Sequence, residues 1–122
     1  MTKIAIIEDD PTISQMYRMK FEADGFDVRM AGNGKIGVDL VKSFKPDIIL
    51  LDIQMPEMNG AAALKLIREH KDSKDTPVII LTNLGEEEAP SEMRSLGISS
   101  YIVKANNTPR QVVAHVKNTI GQ

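Results

Sequence analysis

Short apolar runs alternate with longer amphipathic stretches along this chain. Four of the runs contain no polar alternation, which is typical of strands buried on both faces of a parallel sheet. They cover Ile4–Ile7, Ile48–Leu51, Val78–Leu81 and Tyr101–Val103. A fifth run, Phe26–Met30, alternates apolar and polar residues and therefore predicts a half-exposed edge strand.

The stretches between the runs carry the start and stop signals of helices. Proline suits the first helical position, and glycine or a later proline ends a helix. The predicted helices begin at Pro11, cover Lys35–Phe44, Ala61–Glu69 and Glu86–Ser95, and run from Pro109 to about Ile120. Pro90 conflicts with the fourth helix unless that helix begins near Ala89, because an internal proline clashes with the preceding turn.

Five strand–helix units in succession predict a doubly wound α/β fold. Such alternation requires parallel strands with crossover helices on both faces of the sheet. Five strands favour the flavodoxin-like order 2-1-3-4-5, in which ligands bind outside the carboxyl ends of the strands. We therefore predict one domain over residues 1–122, with its site at that rim.

Polar residues follow four of the five predicted strands at the point where each strand ends. These residues are Glu8, Asp9 and Asp10 after strand 1, Asp52 after strand 3, Thr82 and Asn83 after strand 4, and Lys104 after strand 5. Strands 1 and 3 are neighbours in the predicted order, so their carboxylates should lie close together and need a cation. Oxygen-only ligands favour a hard cation, and the small number of protein carboxylates favours Mg²⁺ over Ca²⁺ or Mn²⁺.

Composition and charge exclude several other classes of protein. The net charge of −2 indicates no nucleic-acid or anionic-membrane surface, and the absence of cysteine excludes disulfides and thiolate metal sites. No apolar run approaches the ~20 residues needed to span a bilayer, and the short N-terminal run does not have the form of a signal peptide. We expect a cytoplasmic domain with no membrane contact and no direct nucleic-acid contact.

The strand-end residues together suit phosphoryl transfer. Asp52 supplies a carboxylate nucleophile, and a cation with Thr82 and Lys104 covers the phosphoryl oxygens. Each residue alone also has an ordinary structural role: Asp52 as a cap, Thr82 as a loop hydroxyl and Lys104 as a surface charge. Their meeting at one rim favours the chemical interpretation over these separate roles.

Four motifs resemble those of response-regulator receiver domains, the chemotaxis-regulator-like phosphoacceptors of two-component signalling. They are IIEDD at strand 1, LLDIQMPEMNG around Asp52, ILTN at strand 4 and YIVK at strand 5. The resemblance covers essentially the whole chain. It implies that Asp52 is phosphorylated by a histidine kinase or a histidine phosphotransfer protein. It further implies that the domain is a switch acting on a downstream protein, unknown here, and is no enzyme with separate substrate turnover.

The resemblance also assigns roles to individual residues. Asp9 would bind Mg²⁺ directly and Glu8 through water, with Asp52 and the backbone carbonyl of Gln54 completing the protein ligands. Thr82 would be the switch hydroxyl and Tyr101 the switch aromatic.

Lys104 would pair with the phosphoryl group, and the face formed by helix 4, strand 5 and helix 5 would change on phosphorylation. Kinase docking would involve Ile13, Met16 and Ala105, although Ile13 and Met16 equally suit ordinary core packing of an amphipathic helix.

Two departures from the family pattern concern access and backbone path. Asn83 stands where such domains usually have Ala or Gly, so we expect Asn83, together with Gln54 and Leu84, to modulate access of the donor and of water. Ala105 stands where proline usually follows through a cis bond. A cis bond before a residue other than proline costs about 2.5–4 kcal/mol, so either the loop bears that cost or Lys104 takes a different path.

Three alternative functions remain to be weighed against the switch. A phosphatase of the haloacid dehalogenase type needs a second acid two residues after the nucleophile, where this chain has Gln54. A flavodoxin-type cofactor protein needs a phosphate-binding loop after strand 1, where Glu8 and Asp9 would repel the phosphate. A pseudo-receiver acting as a phosphorylation-independent scaffold is the remaining alternative, kept open by Asn83 and Ala105.

Overall fold

All five predicted strands and five helices are present in the computed structural model, which describes residues 1–122. The strands are β1 Lys3–Ile7, β2 Asp27–Ala31, β3 Ile48–Leu51, β4 Val78–Thr82 and β5 Ser100–Val103. The helices are α1 Pro11–Ala23, α2 Gly34–Phe44, α3 Gly60–Glu69, α4 Glu92–Ser95 and α5 Pro109–Thr119. Most observed bounds lie within a few residues of the predicted ones.

The five strands form one parallel sheet in the order β2-β1-β3-β4-β5, which confirms the flavodoxin-like prediction. Ile7 of β1 is level with Leu51 of β3, and Thr82 of β4 is level with Val103 of β5. The residues that follow these strands therefore emerge at one edge of the sheet.

Two apolar cores cover the two faces of the sheet because successive strand residues point to opposite sides. On one face, Ile7, Leu51 and Ile80 pack with α2, α3 and Met93 of α4. The opposite face packs against α1 and α5 and holds a separate set of buried strand residues, Ile4, Ile6, Ile48, Leu50, Ile79, Leu81 and Ile102. Burial on both faces explains why the central strands are apolar except for Lys3 at the start of β1 and Thr82 at the end of β4.

Side-chain caps fix where most of the helices begin. The Asp10 side chain accepts from the N–H groups of Thr12 and Ile13 at the start of α1. Asn33 and Asn59 cap α2 and α3 in the same way, and Thr108 forms a reciprocal capping box with Gln111. These bonds satisfy backbone donors that have no partner within the helix.

The prediction of one continuous fourth helix over Glu86–Ser95 was wrong. A 3₁₀ turn covers Glu86–Glu88, Ala89 is extended, and α4 begins only at Glu92. Proline disfavours the helical conformation of the residue before it and supplies no N–H to the helix. Pro90 therefore divides this segment and leaves α4 four residues long.

The path after β5 contains no cis bond, since all peptide bonds in the structure are trans. Lys104 instead opens a 3₁₀ turn, Lys104–Asn106, that leads towards α5. None of the helices combines the length and the apolar character needed to cross a bilayer.

Candidate functional site

Three carboxylates meet at the carboxyl edge of β1 and β3. Glu8 follows Ile7 and Asp52 follows Leu51, and the register of these strands places the two acids side by side. One carboxylate oxygen from each of Glu8, Asp9 and Asp52 lies within 4.8 Å of the others. Glu8 and Asp52 are each only 5% exposed, whereas Asp9 is exposed at the mouth of the site.

The Asp52 carboxylate is oriented by backbone on one side and by a cation on the other. Its Oδ1 accepts from the N–H of Ile53 at 2.7 Å and from the N–H of Gln54 at 3.4 Å. Its Oδ2 accepts from the Lys104 ammonium, with Nζ at 3.2 Å. The β3–α3 loop and the turn after β5 therefore together set the direction in which this carboxylate faces.

Lys104 also joins Glu8 to the site. Its ammonium donates to Glu8 Oε1, and the N–H of Asp10 donates to Glu8 Oε2 at 3.1 Å. Because the order is β1-β3-β4-β5 on this side of the sheet, the lysine side chain crosses the end of β4 to reach Asp52 and extends past β3 to reach Glu8. The ammonium thus neutralises part of the negative charge that the sheet gathers here.

Burial and neighbouring charges shift the pKa values of Glu8 and Lys104. Burial raises the pKa of Glu8, opposed by its hydrogen bond from Lys104, while the Asp52 charge raises it further. Burial alone would lower the pKa of Lys104, but the hydrogen bond to Glu8 and the charge of Asp52 outweigh it and the pKa is raised. The acids therefore stabilise the charged form of the lysine.

The donor set fits a hard divalent cation. The converging side-chain donors are carboxylate oxygens, two of them fixed in a buried position and one open to water. Mg²⁺ favours sites in which a few protein oxygens bind it and water fills the remaining positions. The three acids predicted from the strand ends are thus brought together.

The predicted switch residues lie beside this cluster on β4 and β5. Thr82 is fully buried, and its Oγ1 accepts from the N–H of Leu84 at 3.4 Å. The Tyr101 hydroxyl donates to the carbonyls of Leu84 and Gly85, at 3.0 and 3.3 Å. Both side chains therefore contact the loop that begins at Asn83.

The residues predicted to modulate access differ in exposure. Asn83 and Gln54 are exposed, whereas Leu84 is partly buried and packs against the core beside α3. The side chains of Asn83 and Gln54 are thus exposed to solvent, and in sequence these residues lie close to Thr82 and Asp52. Leu84 is held in the fold.

The predicted docking residues also separate into two kinds. Ile13 is partly buried and packs against the core beneath α1, as the packing alternative expected. Met16 is 37% exposed and lines a groove along α1, and Ala105 is exposed in the turn after Lys104.

The hydrogen bonds made by Arg68 were not predicted from the sequence. Its guanidinium donates to four backbone carbonyls: Leu96 at 2.8 Å, Ser73 at 2.9 Å, Thr76 at 2.8 Å and Gly97 at 2.8 Å. Burial lowers the pKa of this arginine. Arg68 joins the end of α3 to the residues that follow α4. In the sequence it stood out only as a basic residue in the last turn of a helix.

This chain is similar to a known protein family, to curated proteins and to solved structures. A family model described as the response regulator receiver domain matches residues 4–117. The transcriptional regulatory protein SrrA of Staphylococcus aureus (strain NCTC 8325 / PS 47) is 37% identical over 115 residues, which are 94% of this chain and 46% of SrrA. The chain spans less than half the length of the curated relatives it matches.

Solved structures agree with the observed topology. The chemotaxis response regulator CheY4 of Vibrio cholerae has a TM-score of 0.89 at 25% identity, with 98% of each chain covered. The receiver domain of the sensor histidine kinase PA1611 from Pseudomonas aeruginosa PAO1 has a TM-score of 0.88 at 21% identity, covering 99% of this chain and 98% of that one, and supports the fold alone. Its structure has a magnesium ion coordinated in the active site cleft.

The family match, the sheet order and the acidic rim agree with one another, which confirms the resemblance seen in the four motifs. Receiver domains are signalling domains rather than enzymes with a separate substrate; they bind Mg²⁺ at an acidic pocket and partner with histidine kinases. This chain belongs to the response regulator receiver domain family of two-component systems.

Proposed function

We propose that Asp52 accepts a phosphoryl group from a phosphohistidine on a histidine kinase or phosphotransfer protein. The convergence of Glu8, Asp9 and Asp52 beside Lys104 carries this proposal. A cap or a solvated surface charge needs no second acid and no partly buried lysine, so the separate structural roles do not explain the cluster.

The proposed cation is Mg²⁺, with Mn²⁺ as a substitute. Asp9, Glu8, Asp52 and the backbone carbonyl of Gln54 would hold it, Glu8 through water. When bound, the cation neutralises negative charge on the carboxylates and on the incoming phosphoryl oxygens. Asp9 is the exposed member of the set and lies on the side from which solvent reaches the site.

In the proposed transfer, an oxygen of the Asp52 carboxylate attacks phosphorus. An O–P bond forms as the P–N bond to the donor histidine breaks, and the bonding electron pair stays on the imidazole nitrogen. The Ile53 and Gln54 N–H groups hold the carboxylate in place through Oδ1. Thr82 and Lys104 would then contact the phosphoryl oxygens, where a hydroxyl and an ammonium stabilise the charge.

The response would spread from Thr82 to Tyr101. Thr82 is already bonded to the Leu84 N–H, and Tyr101 to the Leu84 and Gly85 carbonyls, so both residues touch one loop. Movement of Thr82 towards a phosphoryl group would change this loop and the face made by α4, β5 and α5. A downstream protein would recognise that face.

Loss of the phosphoryl group would follow attack of water on phosphorus, breaking the O–P bond to Asp52 and releasing inorganic phosphate. Asn83 stands exposed beside Thr82 and would, with Gln54 and Leu84, limit the approach of water and of small donors. Asn83→Ala should therefore change the rate of labelling by acetyl phosphate or the rate of hydrolysis. Both rates are read from intact mass, and no change in either would contradict this role.

Ile13, Met16 and Ala105 would contact the phosphodonor, with Met16 and Ala105 as the exposed pair. We propose a cytoplasmic domain that acts through protein contacts rather than by touching nucleic acid, in keeping with its net charge of −2.

The deciding experiment uses beryllofluoride, an analogue of the phosphoryl group. Binding is measured by titration calorimetry with and without Mg²⁺, for the wild-type protein and for Asp52→Asn. We expect Mg²⁺-dependent binding that Asp52→Asn abolishes. Binding that survives this substitution, or no binding by the wild type, would favour the phosphorylation-independent scaffold instead.

A further inference from the structure

Gly34, the first residue of α2, packs directly against the backbone of the β3–α3 loop. A Cβ at this position would lie 2.2 Å from the Met58 carbonyl oxygen and 2.9 Å from the Met58 carbonyl carbon. The Gly34 N–H also donates to that oxygen at 3.1 Å. Because the opposing atoms belong to backbone, no side-chain rotation could make room for a methyl group.

The loop that Gly34 contacts is closed by its own backbone bonds. The Gly60 N–H donates to the Ile53 carbonyl at 2.8 Å, and the Met58 N–H donates to the Pro56 carbonyl at 2.7 Å. Glu57 adopts a left-handed conformation, with φ of 66°. Because of these internal hydrogen bonds, a displacement of Met58 should move the whole loop rather than one residue.

The other end of the same loop holds the reacting carboxylate. The N–H groups of Ile53 and Gln54 bind Asp52 Oδ1, and the Gln54 carbonyl is a proposed ligand of the cation. Displacement of Met58 would therefore alter both the direction of the Asp52 carboxylate and the position of that carbonyl. The path from α2 to the site consists of backbone atoms throughout.

We propose that Gly34 is a positioning residue for the metal and phosphoryl site: its missing side chain lets α2 hold the β3–α3 loop where Asp52 and Gln54 can bind the cation. The inference rests on the proposed function. It adds a residue on a different helix that touches neither the cation nor the phosphoryl group.

The chain offers two matched comparisons in the same region. Gly32 has nothing within 4 Å of a Cβ and no positive φ, so Gly32→Ala adds the same methyl group without a contact. Val38 is a buried residue of α2 that packs in the core, so Val38→Ala destabilises the helix packing without adding atoms near Met58.

The experiment measures the Mg²⁺ dissociation constant by calorimetry, with unfolding midpoints recorded in EDTA. We expect Gly34→Ala to weaken Mg²⁺ binding about tenfold, as loss of a supporting residue does at metal sites. Gly32→Ala should leave both quantities unchanged. Val38→Ala should lower the midpoint and leave the dissociation constant unchanged.

Equal Mg²⁺ affinity in Gly34→Ala and wild type would overturn the inference, as would an equal weakening in Val38→Ala. Failure of the wild type to bind Mg²⁺ would instead overturn the proposed function. If Gly34→Ala does not fold, Asn33→Ala takes its place, because it removes the cap bond to the Ile36 N–H at 2.8 Å and loosens the start of α2 without a clash. Unweakened Mg²⁺ binding by that variant would also count against the inference.

Discussion

The loop after β3 and the segment after β4 leave the same edge of the sheet but are held in different ways. Backbone contacts from Gly34 and Gly60 fix the β3–α3 loop, and its amides orient a buried carboxylate. The β4–β5 segment contains a 3₁₀ turn and a single helical turn, whose one buried residue is Met93. Side-chain bonds from Tyr101 and Arg68 attach its two ends.

This contrast suits the function proposed above, which needs both a metal and phosphoryl site and a segment that responds to it. A site that binds a cation and a phosphoryl group needs its ligands in place beforehand, because ordering them at each event would cost free energy. A segment that responds needs low local stability, so that a change in a few bonds is enough to move it. The fold supplies both within neighbouring strands of one sheet.

The strongest test compares a glycine from each region. In Gly60→Ala the new Cβ would lie 2.2 Å from the Asp52 carbonyl oxygen and 2.8 Å from the Ile53 Cα, so we expect a loss of about 3 kcal/mol in the free energy of unfolding. In Gly85→Ala the nearest atom, at 2.8 Å, is the end of the flexible Glu87 side chain, so we expect under about 0.5 kcal/mol. Urea unfolding measures both, and equal losses would remove the contrast.

The second test concerns the far end of the β4–β5 segment. Arg68→Met leaves four carbonyls without their donor, and we expect a loss of about 2 kcal/mol. Arg18→Met is the matched control, because Arg18 makes one exposed ion pair with Glu22, and it should cost under about 0.5 kcal/mol. A result for Arg68→Met no larger than the control would show that solvent replaces these bonds.

The third test uses pH in the absence of metal. The pKa of Glu8 is raised in the folded protein above its ordinary value of 4.5, so just above pH 4.5 the folded state binds a proton that the unfolded state has released. Stability from this group therefore falls as pH rises through that window, by at most about 1.4 kcal/mol per pH unit. Wild type should lose stability relative to Glu8→Gln from pH 4.5 upwards in EDTA. If the stability difference between wild type and Glu8→Gln stays constant, or grows in favour of wild type, the raised pKa of Glu8 would be contradicted.

The smallest effect is expected at Tyr101. Tyr101→Phe removes the hydroxyl that donates to Leu84 and Gly85 and should cost about 1 kcal/mol of local stability. Hydrogen exchange should then quicken about fivefold at the Glu88 amide, whose partner is the Gly85 carbonyl. The Asp52 amide, bonded to the Ile7 carbonyl, serves as the internal reference and should not change. Faster exchange at both amides would mean that the two regions are not independent.

Residues at the strand ends were predictable because sequence order and sheet order together determine where they emerge. Glu8, Asp52 and Lys104 follow apolar strands, and the parallel order makes their meeting nearly unavoidable. The fourth helix was not predictable in the same way. The acids from Glu86 onwards indicated a helix start, and only Pro90 argued against a continuous helix.

Contacts made through backbone atoms escaped prediction altogether. Nothing in the sequence distinguishes Arg68, which binds four carbonyls, from an ordinary basic residue at the end of a helix. Gly34 and Gly32 likewise look alike in the sequence, although only Gly34 lies against the Met58 carbonyl. Such contacts depend on the distance between elements, which hydrophobic periodicity does not encode.

The reach of Lys104 across the end of β4 has a consequence for the way this chain folds. Pairing of β1 with β3 places Glu8 beside Asp52, while the ammonium that compensates them arrives only with the edge strand β5. Until β5 docks, a partly folded sheet carries two crowded acids that repel each other. This repulsion destabilises intermediates that lack β5. The charge cluster therefore makes the transition between unfolded and folded chain more nearly all-or-none.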